Sequence, residues 1–172
     1  MQYFKIRFLL ALMLCLPMIA LAQDDCTCCT EHHAQFDFWL GEWVVKNDQG
    51  QRVGENSISK IEDNCIMLEK WKGAKGTTGT SHNYYDSSDQ TWNQLWIDNS
   101  GKVLKLKGGL QGDSMVMKGD VIKGGKGDLF YNQISWIPES DGTVLQLWEI
   151  FDSKGQLLQT VFKGYYFKRD ED

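Results

Sequence analysis

Two carboxylates and a set of tryptophans carry the chemistry most readily read from this chain. Glu69 stands in Met67-Leu68-Glu69-Lys70-Trp71-Lys72, and Asp98 ends Trp92-Asn93-Gln94-Leu95-Trp96-Ile97-Asp98. A carboxylate desolvated among indoles holds its proton to higher pH and could serve as general acid or base in an isomerisation or cyclisation. Around them, Trp71, Trp92, Trp96 and Trp148 offer flat apolar faces, while Ser81, Asn83, Tyr85, Gln94 and Gln146 offer hydrogen-bonding groups. That combination suits a small, partly apolar ligand held by stacking and oriented by a few donors and acceptors. Upstream, Cys26, Cys28 and Cys29 precede His32 and His33, a soft donor set that could take zinc or copper. The same cysteines could instead be oxidised, one of the N-terminal three pairing with Cys65; Cys28 and Cys29 are the leading partners. No Gly-x-Ser-x-Gly elbow, His-Glu-x-x-His helix or phosphate-binding glycine loop is present, and no motif asks for a cofactor.

These residues must be positioned by strands. From Glu42 onward, apolar and polar residues alternate in short runs separated by turns rich in Gly, Asn, Asp and Ser, with no sustained 3.6-residue period. The expectation is an all-β fold of about ten antiparallel strands, joined by hairpins and closed into a single up-and-down barrel. Closure removes the sticky edges that an open sheet would expose. His32 to Leu40 reads as a short helix capping one end of the barrel. One strand is expected over Ser114 to Ile122. Outward Lys70 and Lys72 turn Cys65, Met67, Glu69 and Trp71 inward; Ser81, Asn83 and Tyr85 share a face, as do Trp92, Gln94, Trp96 and Asp98, and Gln146 and Trp148. Buried amides, a carboxylate and several indoles make a poor solid core. Each unsatisfied polar group costs about 1–3 kcal/mol, and water or a ligand would relieve it.

The chain has 172 residues with 42% apolar and 24% charged residues, as expected of one folded domain. Its net charge of −5, with lysines scattered among acids, argues against nucleic acid as a partner. Residues 1–22 read as a secretory signal: Lys5 and Arg7, an apolar run from Phe8 to Leu21, and a small-x-small site at Ala20-Leu21-Ala22. That run is too short to span a bilayer. Cleavage would remove Cys15, leaving an arm over 23–35 and a barrel over 36–172, exported to a periplasm or secreted.

Phe36-Asp37-Phe38-Trp39-Leu40-Gly41-Glu42-Trp43, with Trp92-x-Gln94-x-Trp96-x-Asp98 and Gln146-Leu147-Trp148-Glu149, resembles an uncharacterised family of exported bacterial lipocalin-like (calycin-type) proteins. The resemblance spans nearly the whole mature chain and implies a calycin-type β-barrel. Gly41-x-Trp43 also resembles the lipocalin Gly-x-Trp element, which implies that Trp43 plugs the barrel base beneath Lys168 or Arg169.

Three functions remain open at this point: a secreted or periplasmic small-molecule binder, an isomerase- or cyclase-type enzyme using Glu69 or Asp98, and an envelope interaction module with no pocket. The oligomeric state has no signal in the sequence.

Overall fold

The computed structural model describes residues 26–125 and 127–169. The signal-peptide reading of residues 1–22 lies outside them. Among the described residues, no helix is long and apolar enough to cross a membrane.

The alternating stretch after Gly41 forms strands β1 (Gly41–Lys46), β2 (Arg52–Ile61), β3 (Ile66–Gly73), β4 (Thr78–Asp86), β5 (Thr91–Asp98), β6 (Val103–Gln111), β7 (Ser114–Lys118), β8 (Ile122–Lys123), β9 (Leu129–Pro138), β10 (Val144–Asp152) and β11 (Leu157–Lys168). Each long strand pairs antiparallel with its sequence neighbour, β7 passes to β9, and β11 returns to β1, closing a ten-stranded up-and-down barrel. The strand expected over Ser114 to Ile122 is broken. Gly119 and Asp120, both poor strand formers, end β7, and the two-residue β8 pairs only with the outer end of β9.

The hairpins repeat one turn chemistry. Asp98, Asp141 and Asp152 end or flank strands and accept backbone N–H bonds from the residues two beyond at 2.9–3.0 Å. Gly101 and Gly155 then take φ of 82° and 84°, a left-handed conformation that favours glycine.

The helix expected over His32 to Leu40 is divided into α1 (Glu31–Ala34) and a 3-10 turn at Asp37–Trp39. This segment plugs the end of the barrel where β1 begins. Phe36 and Trp39 are fully buried, with Phe36 stacked on Trp39 at 5.0 Å between centroids and edge-on to Trp92 and Trp136. Trp43 is also fully buried and donates from Nε1 to the Trp39 carbonyl at 2.8 Å. Above it the expected cation is Lys168, whose Nζ lies 4.0 Å from the Trp43 ring and donates to the Leu40 carbonyl. Arg169 pairs instead with Glu55 at 2.9 Å.

One disulfide, Cys28–Cys65, ties the arm to the β2–β3 turn at the same end, and a second, Cys26–Cys29, closes a short loop within the arm. Cys28 is therefore the partner of Cys65, while Cys29 pairs with Cys26. All three sulfurs of the alternative metal set are consumed, so Cys26, Cys28, Cys29, His32 and His33 do not form a thiolate–imidazole site. His32 stacks on Tyr85 at 5.0 Å instead, and His33 accepts from or donates to Thr30 Oγ1 at 2.8 Å.

Candidate functional site

The half of the barrel away from the plug encloses a chamber of about 230 Å³. Its walls come from the inner faces of β3, β5, β6, β9, β10 and β11. Trp71, Trp96, Trp148 and Phe162 line its sides, while Glu69, Gln94, Gln146 and Tyr166 form the polar end nearest the plug. Thr77 and Lys102, from the β3–β4 and β5–β6 turns, and Asp98, the last residue of β5, stand at the mouth.

Local packing explains why so many large aromatics leave room between them. Two of the indoles, Trp71 and Trp96, are laid along the wall over a glycine. A Cβ on Gly54 would lie 2.4 Å from Trp71, and one on Gly79 would lie 2.2 Å from Trp96. Both glycines occupy the inner face of the preceding strand, diagonal to the indole they receive. Phe162 lies likewise over Gly164, where a Cβ would approach to 2.6 Å. With ordinary side chains at these positions the rings would be driven into the lumen.

The polar end is a connected network. Asn56 Nδ2 donates to Glu69 Oε1 at 2.7 Å, and Ser81 Oγ donates to Oε2 at 2.6 Å. Asn83 Nδ2 donates to Ser81 Oγ at 2.9 Å, and Gln94 Nε2 donates to Asn83 Oδ1 at 2.8 Å. Across the chamber, the Tyr166 hydroxyl donates to Gln146 Oε1. Glu69 is 4% exposed. Loss of water pushes its carboxyl up to about 7, against the opposing effect of the Ser81 and Asn56 hydrogen bonds. Burial, reinforced by the nearby Glu69 charge, holds the Tyr166 hydroxyl well above its usual range, so it stays protonated.

The structure thus brings Glu69, Trp71, Gln94, Trp96, Gln146 and Trp148 to one chamber, with Ser81 and Asn83 in the layer that supports Glu69. Two expected wall residues are elsewhere. Tyr85 packs against the histidines of α1, and the Trp92 indole donates to Gln35 Oε1 at 3.1 Å within the plug. Asp98 also departs from expectation. Its carboxylate accepts from Ser100 Oγ at 2.6 Å and from the amides of Ser100 and Lys102, which hold its pKa below the usual carboxylate range. It is a turn-stabilising acceptor at the rim, not a desolvated acid. Sequence reading missed Tyr166, Phe162 and Asn56; the inner-face glycines at 54, 79 and 164 were the available signal.

Trp148 is held from both sides. Its Nε1 donates to Asn132 Oδ1 at 2.8 Å, and Lys102 Nζ lies 4.2 Å over its ring at the mouth. The arrangement can admit a small molecule past Lys102, stack it between aromatic walls and meet its polar end with Glu69 and two amides. Comparison with protein-family models and with curated proteins finds no match to this chain.

Proposed function

We propose that this protein is a binding protein whose barrel receives a small, partly apolar molecule. The observation that carries the reading is a chamber of about 230 Å³ with aromatic sides and a hydrogen-bonding floor, at the opposite end of the barrel from an aromatic plug. Such a division suits ligand binding: the plug supplies stability, and the open half supplies contact area with a few orienting groups. The resemblance to exported lipocalin-like proteins supports the same reading. The two disulfides and the apolar leader support a site of action outside the cytosol, in a periplasm or after secretion.

An enzymatic role of the isomerase or cyclase type would rest on Glu69 alone. Its pKa of about 7 suits proton transfer, yet Tyr166 is locked in its protonated form and Asp98 is engaged in a turn. An interaction module without a pocket gives no reason for a Trp-walled chamber. Native mass spectrometry of protein purified from its own host tests the binding reading. The expected result is a small-molecule adduct that is released on denaturation; only bare protein, across gentle preparations, would count against it.

A further inference from the structure

We propose that the chamber is selective for a small organic cation, a protonated amine on a flat apolar body, with its ammonium paired to Glu69 and its body against Trp71 and Trp96. This inference rests on the binding reading and names its ligand class.

Four observations converge on it. Glu69 is a buried carboxylate with no Lys, Arg or His in salt-bridge contact among the described residues; its two hydrogen-bond donors, Asn56 and Ser81, are neutral. A buried charge without a counter-charge is costly, and an incoming ammonium supplies the missing partner. The walls are indole and phenyl faces, whose negative quadrupoles attract cations. At the mouth an ammonium already occupies such a face: Lys102 Nζ over Trp148. The charges lining the chamber are Glu69 and Asp98 against Lys102, an acidic excess that favours a cation over an anion. A carboxylate ligand would instead meet a second carboxyl group at the floor, and a neutral ligand would leave Glu69 uncompensated.

Proton linkage gives the inference a signature. Around Glu69, β2, β4, β5 and β10 present Asn56, Ser81, Gln94 and Gln146, none of which titrates. β11 presents Tyr166, which stays neutral, and the rim presents Asp98 and Lys102. The group that changes charge near neutrality is therefore Glu69, at about 7. Cation affinity rises with pH as Glu69 ionises, by about tenfold between roughly pH 6 and pH 8.

Three probes of one shape test this: 2-phenylethylammonium, 2-phenylethanol and 3-phenylpropionate, titrated calorimetrically and by tryptophan quenching. The ammonium is expected to bind at least about tenfold more tightly than the alcohol at roughly pH 8. Its advantage should shrink towards pH 6 and collapse in Glu69→Gln. If the alcohol or the carboxylate binds as tightly as the ammonium, the cation inference is overturned and the binding reading stands. If none of the three binds, both fall. Should Glu69→Gln not fold, the native protein decides, because an ammonium affinity flat across that pH range overturns the proposal.

Discussion

At the scale of single residues, Glu69 dominates the account. Its carboxyl is raised from the ordinary 4.5 to about 7, so the folded state holds a proton there that the unfolded chain releases. Stability from this group is therefore greatest below about pH 4.5 and falls as pH rises towards 7, by about 3 kcal/mol in all. The difference in unfolding free energy between Glu69→Gln and the native protein, followed by denaturant titration, should grow in favour of the variant over that interval. Parallel pH profiles would contradict the burial assigned to Glu69. Much of this site was legible from alternation alone, because outward Lys70 and Lys72 fix the phase of β3 and turn Glu69 inward. Alternation gives the face of a side chain and not its depth along the barrel axis. Tyr85 and Trp92 share the inner faces of Asn83 and Gln94, yet sit one or two layers closer to the plug. Asp98 failed for a different reason. The Asp-x-Ser-Gly sequence that follows β5 is a turn signature, and the turn uses the carboxylate as an acceptor.

At the scale of elements, pairings between glycines and aromatics decide whether the barrel is hollow. The inner faces of β2, β4 and β11 contribute Gly54, Gly79 and Gly164, each lying under a ring that would otherwise project inward. Gly79→Val should displace the Trp96 indole into the chamber and lower occupancy by a co-purified molecule at least about tenfold in native mass spectra, a loss of about 1.4 kcal/mol or more. Gly109→Val is the matched control, since a Cβ there meets nothing within 4 Å. Equal occupancy in the two variants would remove Trp96 from the wall. The N-terminal arm is an element in the same sense: little of it is helical, and it is held by Cys28–Cys65 and by Phe36 and Trp39 buried in the base. Closing a loop of this length by a disulfide stabilises by about 4 kcal/mol in the chain-entropy picture. Its capping position was readable in the sequence. The partner of Cys65 was not, because three cysteines lie within four residues and any could reach by spacing alone.

At the scale of the whole molecule, the barrel is divided along its axis. One half is close-packed around Phe36, Trp39, Trp43, Met115, Met117 and Trp136, all fully buried, and the other half is open and aromatic-walled above Glu69. The closed all-β architecture followed from hairpin turns and alternation, whereas this division depends on which end the arm enters, a long-range relation that no local pattern records. Under the proposed binding function, substitutions in the plugged half act on stability alone, whereas those in the open half also act on what is bound. Crystallography under xenon pressure tests that division most directly, since an accessible space with apolar walls takes up the gas and a packed core does not. Xenon density is expected between Trp71, Trp96 and Trp148 and none among Phe36, Trp39 and Trp136. Indoles in mutual contact across the lumen, with no gas between them, would contradict it.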